Sequence, residues 1–132
     1  MAKHNDTGRI GEDIAAKFLR GKGFEIVTQN FRKPYGEIDI VSRERGGAYR
    51  FVEVKTVSWE SSREQKSVSH GTYRPEENVH PQKVQRLMRV IESYIQSHNI
   101  DTDWQFDVVA VYLDQVNKKA KVRHLENVVL GT

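Results

Sequence analysis

The chain contains no cysteine among its 132 residues, which excludes a disulfide-stapled fold, thiol catalysis and cysteine-based zinc sites. No apolar run approaches the roughly 18–20 residues that cross a bilayer, and the polar N-terminal segment lacks the apolar stretch of an export signal. An excess of one charge sign is also lacking, because 21 basic residues face 18 acidic residues for a net charge of +3. We therefore expect a soluble, cytoplasmic protein with no membrane segment, and its small positive charge only weakly favours a polyanionic partner.

Length and polarity predict one domain over residues 1–132. Hydrophobic residues make up 37% of the chain and charged residues 30%, and this balance is too apolar and too evenly charged for a disordered chain. A second core would leave each half too small to be comfortably stable. One compact core is the expectation.

Apolar spacing predicts a simple order of helices and strands. A helix is expected after the capping residues at positions 5–7 and before the glycine at position 21. A second helix is expected from Pro81 onward, where apolar residues recur at helical spacing. Strand-like runs fall at 24–31, 37–42, 49–56, 106–113 and 121–128. The sequence therefore predicts an α/β fold in the order helix, three strands, helix, two strands.

One long segment has no apolar period. Residues 57–79 are rich in serine and charge, and a stretch of this length without secondary structure inside a small domain is usually functional or disordered. We predict a flexible loop at about 57–79.

A tight hairpin is predicted around the Arg-Gly-Gly sequence at positions 45–47. A three-residue loop there pairs Ile40 with Val52 and puts Asp39 opposite Glu53. Opposed carboxylates on one sheet face repel each other unless a cation lies between them. Mg²⁺ is commonly held by one or two carboxylates, so this pair is a candidate metal site.

Two further residues extend the candidate site. Lys55 lies two positions after Glu53, and the strand period of two directs both side chains to the same face. Glu12 lies at the edge of the apolar stripe of the first helix, from which it can border the sheet.

Two alternatives remain open at this level. Alternating charges on a hairpin are also typical of a solvated face, in which case the chain is an interaction domain with incidental acids. A one-residue slip in register would separate the two carboxylates. The preferred register puts apolar side chains on one face, namely those of Ile38, Ile40, Val52 and Val54.

A basic ridge is predicted on the second helix. Lys83, Arg86 and Arg89 recur every three residues and could contact phosphates. A solvated basic face explains the same pattern equally well.

These motifs resemble a known nuclease superfamily. The stretches Gly36-Glu37-Ile38-Asp39-Ile40 and Phe51-Val52-Glu53-Val54-Lys55, preceded by Gly11-Glu12, are similar to the motifs of the PD-(D/E)XK nucleases. Over roughly residues 8–113 the chain more closely resembles the bacterial YraN-like family, which is related to archaeal Holliday junction resolvases. The proline of the superfamily motif is replaced by Ile38.

The resemblance implies a restriction-endonuclease-like αβββαβ core, with a mixed central sheet flanked by helices, that hydrolyses nucleic-acid phosphodiesters with Mg²⁺ or Mn²⁺. It implies that Asp39, Glu53 and Glu12, with the backbone carbonyl of Val54, bind the metal. Lys55 would position or deprotonate the attacking water.

The implied partner is nucleic acid, with branched DNA as the expected substrate. Resolution of a four-way junction needs two active sites and hence a homodimer, either in the free protein or formed on the substrate. The alternative is a non-catalytic nucleic-acid binding or scaffolding domain that retains the nuclease fold.

Overall fold

The computed structural model describes residues 2–59 and 81–130 and has the predicted order of elements. The helices are α1 (Ala2–Gly21) and α2 (Pro81–Ser97). The strands are β1 (Glu25–Lys33), β2 (Gly36–Arg43), β3 (Tyr49–Trp59), β4 (Trp104–Asp114) and β5 (Lys119–Leu125). The predicted α/β class, with a mixed sheet between helices, is confirmed.

Two predicted boundaries are wrong. Helix α1 begins at Ala2, before the expected capping residues. Strand β3 continues through Trp59, so residues 57–59 are not loop; they pair in parallel with residues 112–114 of β4, a partner far along the chain. The rest of the predicted flexible loop lies outside the described residues.

The five strands form one sheet in the order β1-β2-β3-β4-β5. Strands β3 and β4 are parallel, and every other neighbouring pair is antiparallel. A parallel pair needs a crossover connection, and α2 lies in that connection. Neither helix in the described part of the chain is long and apolar enough to cross a membrane.

Within residues 2–59 and 81–130, α1 packs on one face of the sheet and α2 on the other. Helix α1 buries Ala15, Ala16 and Leu19 in a cluster with sheet residues that include Ile40 and Val52. Helix α2 buries four residues against the opposite face, in a cluster that contains Val41, Phe51, Phe106 and Val108; these four are Leu87, Val90, Ile91 and Tyr94. The β4 strand is buried between the helices, which explains its almost continuous apolar sequence.

The predicted hairpin register is confirmed, but one predicted face is wrong. The β2–β3 ladder runs from Arg43↔Tyr49 to Ile40↔Val52 and ends there, immediately before Asp39 and Glu53. Ile38 belongs to the α2 cluster, whereas Ile40 belongs to the α1 cluster. The alternation of β2 side chains between the two faces of the sheet is therefore interrupted at Asp39.

Candidate active site

A cleft of about 640 Å³ opens where α1, the start of β2, the middle of β3 and the start of α2 meet. The structure brings all four predicted catalytic residues to this cleft, together with Val54 and two of the three predicted phosphate-contacting residues. Its charged lining residues are Glu12, Glu37, Asp39, Glu53, Lys55, Lys83 and Arg86. Arg89 is absent from the lining, and its Cζ lies 3.9 Å from the centroid of the Tyr35 ring.

Two glycines let the helices approach the sheet closely at this cleft. A Cβ atom added at Gly11 would lie 1.9 Å from Thr56 Oγ1, so only glycine lets α1 contact β3 in this way. A Cβ atom at Gly36 would lie 3.2 Å from the backbone carbonyl oxygen of Arg86 in α2. Gly36 therefore allows α2 to pack closely against the start of β2.

Asp39 lies at the centre of an excess of negative charge. Its Oδ2 accepts a hydrogen bond of 2.8 Å from the backbone N–H of Val54. Burial raises the pKa of Asp39 to about 7, and repulsion from Glu12 and Glu53 adds to this rise, while the Val54 hydrogen bond opposes it. The second acid, Glu12, also has a raised pKa, chiefly through burial and against a hydrogen bond from Asn30.

Two lysines contact the same carboxylate at unequal distances. The Nζ atom of Lys83 lies 2.7 Å from Glu53 Oε1, and that of Lys55 lies 3.9 Å from the same oxygen. Burial lowers the pKa of Lys55, and the neighbouring Lys83 lowers it further. For Lys83 burial also acts to lower the pKa, but the hydrogen bonds with Glu53 and Lys55 and the nearby negative charges together outweigh it, and the net shift is upward.

The residues of the cleft fit a divalent metal ion. Carboxylate and carbonyl oxygens are the ligands that Mg²⁺ and Mn²⁺ prefer. The raised pKa of Asp39 reflects burial and repulsion that a bound cation would offset. Glu12, Asp39 and Glu53 supply carboxylates of this kind, but among the described residues the group whose ligand atoms already lie within 4.8 Å of one another is a different one.

A second group of ligand-type side chains lies outside this cleft. Atoms of Asp107, His124 and Glu126 lie within 4.8 Å of one another, and this donor set could bind a metal ion. The guanidinium of Arg50 already supplies positive charge there, at 2.9 Å from Asp107 and 2.5 Å from Glu126. A cation at this group would be repelled by that guanidinium.

This second group is absent from the candidate residues predicted from the sequence. Asp107 is fully buried, and its Oδ2 lies 2.8 Å from His124 Nε2. The sequence feature that could have indicated this group is a carboxylate, Asp107, within the almost wholly apolar run of β4.

Comparison with known proteins places the chain among bacterial relatives. A family model described as uncharacterised protein family UPF0102 matches residues 11–111. A UPF0102 protein from Flavobacterium psychrophilum is 35% identical over 127 residues, which cover 96% of each chain. Another from Alkaliphilus oremlandii is 39% identical over 123 residues, covering 91% of this chain and 94% of the relative.

A comparison of folds matches SfsA of Pyrococcus furiosus, whose structure was solved in complex with Ca²⁺. The TM-score is 0.41 and the sequence identity 14%, over 93% of this chain and 63% of that one.

Proposed function

The chain belongs to the uncharacterised protein family UPF0102, the YraN family of the restriction-endonuclease-like superfamily, and we propose that it is a metal-dependent endodeoxyribonuclease. The observation that carries this proposal is the meeting of three acids and a lysine in one cleft; these are Glu12, Asp39, Glu53 and Lys55. The residues come from α1, β2 and β3, so they converge only in the folded chain.

The proposed metal ligands are Asp39, Glu53 and Glu12, with the backbone carbonyl of Val54. Burial and mutual repulsion, which raise the pKa of Asp39 to about 7, support a site that holds Mg²⁺ or Mn²⁺. A bound divalent ion would polarise the phosphate and favour hydroxide over water at neutral pH.

The role proposed for Lys55 is to position or deprotonate the attacking water. Burial and the nearby Lys83 lower its pKa, which increases the share of neutral amine that can accept a proton. In its charged form, Lys55 would stabilise negative charge that builds up on the phosphate.

Lys83 and Arg86 are the proposed contacts to the nucleic-acid backbone. Both lie on α2 and line the cleft, and Lys83 keeps its charge through the hydrogen bond to Glu53. Cations beside the reacting phosphate would hold the strand in register without reading its sequence.

The proposed substrate is branched DNA. The proposal extends to a homodimer, since two cuts across a junction require two clefts. The family resemblance supports this substrate, and the positive net charge is compatible with it.

The test is single-turnover cleavage of single strands, duplexes, flaps and four-way junctions in Mg²⁺ and in Mn²⁺. Asp39→Asn should abolish cleavage while its amide oxygen still accepts the Val54 hydrogen bond. Asp101→Asn, an exposed acid between α2 and β4, is the matched control and should cleave like the parent.

Two outcomes contradict the proposal differently. Tight nucleic-acid binding by the parent without cleavage of any substrate would favour the non-catalytic binding or scaffolding domain. Absence of Mn²⁺ binding in calorimetry would show that the proposed metal site does not exist.

A further inference from the structure

A second cavity lies at the opposite end of α1 and β2 from the cleft. It has a volume of about 680 Å³, and it is lined by the last turn of α1, the start of β1 and the hairpin between β2 and β3. Among the described residues its lining has no member in common with that of the cleft. We call it the arginine cavity, because its charged lining residues are Arg20, Arg43 and Arg45 with Glu25 and Glu44.

Positive charge predominates in the arginine cavity. Oε2 of Glu44 lies 3.0 Å from Nε of Arg50, so an arginine outside the cavity already compensates this glutamate. The other acid, Glu25, is exposed, and within residues 2–59 and 81–130 it forms no ion pair with the three cavity arginines. Three guanidinium groups therefore outweigh the one remaining carboxylate, and the cavity favours an anionic ligand.

The end of α1 does not present a bare negative pole to the cavity. The N–H of Gly23 donates to the carbonyl oxygen of Arg20 at 2.9 Å, and the N–H of Phe24 donates to the carbonyl one residue earlier at 3.1 Å. Unbonded carbonyls at a helix C-terminus would repel an anion, and these hydrogen bonds reduce that repulsion. On the hairpin side, Cζ of Arg43 lies 5.6 Å from the centroid of the Tyr49 ring, which restricts the guanidinium.

The cleft and the arginine cavity are separated by about the same length along two elements. From Glu12 to Arg20, α1 advances about 12 Å at about 1.5 Å per residue. From Asp39 to Arg43, β2 advances about 13 Å at about 3.3 Å per residue. A DNA duplex advances about 3.4 Å per base pair, so this separation corresponds to about four base pairs.

We propose that the arginine cavity binds the phosphate backbone of a DNA duplex about four base pairs away from the phosphodiester in the cleft. This inference rests on the proposed function, because it takes the cleft as the site of cleavage. Arginine suits the role, since its planar guanidinium can donate two hydrogen bonds to one phosphate. The substrate is then DNA with a double-stranded arm beside the cut, and phosphate contacts fix its position without reading its sequence.

A double substitution removes one arginine from the helix side of the cavity and one from the hairpin side. Arg20→Gln/Arg45→Gln retains the contact between Arg43 and Tyr49 and should leave Mn²⁺ affinity unchanged. Duplex binding is measured in Ca²⁺ at a series of salt concentrations. Each phosphate contact contributes about 0.9 to the slope of log affinity against log salt, so the slope should become less steep by about 2. A fourfold rise in salt should then weaken the parent about 10-fold more than the variant.

Neutral methylphosphonates locate the contact along the duplex. Replacing the phosphate about four base pairs from the cut should weaken binding by the parent and leave binding by Arg20→Gln/Arg45→Gln unchanged. The same replacement farther along the arm should affect neither protein.

Lys119→Gln/Lys121→Gln is the matched control. Both lysines are exposed on β5 and line neither the cleft nor the arginine cavity, so this variant removes the same charge from another surface. Its salt slope should stay close to that of the parent. Melting temperatures check the fold of both double variants. Arg43→Gln, with an expected slope change of about 1, carries the test if Arg20→Gln/Arg45→Gln does not fold.

The outcomes separate this inference from the proposed function. If the parent cleaves DNA and the folded arginine variant keeps the parental salt slope, or changes it no more than the lysine control does, the role of the arginine cavity is wrong and the nuclease stands. If the parent binds a duplex without cleaving it and the slope changes as expected, the backbone contact stands and the nuclease is wrong. A parent chain that binds no DNA would overturn both.

Discussion

At the scale of single residues, the two lysines beside Glu53 differ in what they can do. Lys83 makes the short contact of 2.7 Å and keeps its charge, whereas Lys55 lies 3.9 Å away and has a lowered pKa. Two equally charged ammonium groups sharing one carboxylate would repel each other. The arrangement therefore favours Lys55 as the group that exchanges a proton and Lys83 as the fixed cation.

Lys55→Ala should separate binding from turnover. We expect metal and nucleic-acid binding to stay largely intact while the cleavage rate falls by about 10²–10³, the order seen when one charge-stabilising group is removed. Lys55→Arg should not restore the full rate, because a guanidinium keeps its charge but cannot act as a base. Single-turnover rates at saturating enzyme, beside equilibrium binding in Ca²⁺, provide the measurement. An unchanged rate in Lys55→Ala would remove this lysine from the mechanism.

Asp39 should make the stability of the metal-free protein depend on pH. Its pKa is about 7 in the folded chain against an ordinary value of 3.8, so the unfolded chain ionises first as the pH rises. The contribution of Asp39 to the free energy of unfolding is therefore fully present below about pH 4 and is lost by about pH 7.

Asp39→Asn removes this titration. Relative to the parent in chelator, the variant should gain stability as the pH rises from about 4 to 7, with no further gain above that range. Chemical denaturation at a series of pH values gives the difference directly. A difference that does not vary with pH would contradict the raised pKa of Asp39.

At the scale of elements, the contact between α1 and β3 brings Glu12 to the sheet. Gly11 lies against Thr56, and the neighbouring Glu12 faces the cleft. Gly8 lies one turn earlier on the same helix, also lines the cleft, and has no atom within 4 Å of an added Cβ. The two glycines therefore form a matched pair that differs only in the closeness of the sheet.

Gly11→Ala and Gly8→Ala should have opposite effects. The Gly11 substitution forces α1 away from Thr56, so we expect a loss of about 1–3 kcal/mol in the free energy of unfolding and weaker Mn²⁺ binding. The Gly8 substitution should stabilise the helix by about 0.5–1 kcal/mol, since alanine is the better helix former. Equal stability changes in the two variants, measured by denaturant unfolding, would show that α1 does not contact β3 as described.

At the scale of the whole molecule, a polar network outside the cleft ties three strands together. Arg50 of β3 bonds to the fully buried Asp107 of β4, which also accepts from His124 of β5. Burial acts to raise the pKa of Asp107, but the hydrogen bonds from His124, Gln105, the Asn127 N–H and Arg50 outweigh it and lower the pKa to about 2. The network therefore supports the fold at neutral pH.

Arg50→Gln should weaken the fold without affecting metal binding. Removing the guanidinium leaves the buried Asp107 uncompensated, which typically costs about 3–5 kcal/mol. Arg45→Gln, in the exposed hairpin turn, should change stability by less than about 0.5 kcal/mol. Denaturant unfolding and Mn²⁺ calorimetry of both variants provide the test. Tighter Mn²⁺ binding in a folded Arg50→Gln would mean that the metal lies in this network instead of the cleft, because the competing guanidinium is gone.

Location and assembly at this scale stay predictions. The cytoplasmic location comes from the sequence alone, and the homodimer comes from the expected junction substrate. Sedimentation of the free protein and of its DNA complex would measure the assembly directly.

Local sequence patterns were sufficient to predict the order of the helices and strands and the position of the hairpin. Turn residues and the strand period act between neighbours along the chain, so the pairing of Ile40 with Val52 could be predicted, and with it the proximity of Asp39 and Glu53. The motif resemblance then assigned roles to these acids and to Lys55. Those roles stay predictions, whereas the meeting of the side chains in one cleft is a property of the structure.

Only the tertiary structure decided which distant residues complete the site and which do not. Glu12 reaches the cleft from α1, and Arg89 turns to Tyr35, because of neighbours from other parts of the chain. The same holds for the extension of β3 to Trp59 along β4 and for the burial of Asp107. Burial, charge compensation and sheet pairing depend on distances through space, and spacing along the chain does not determine those distances.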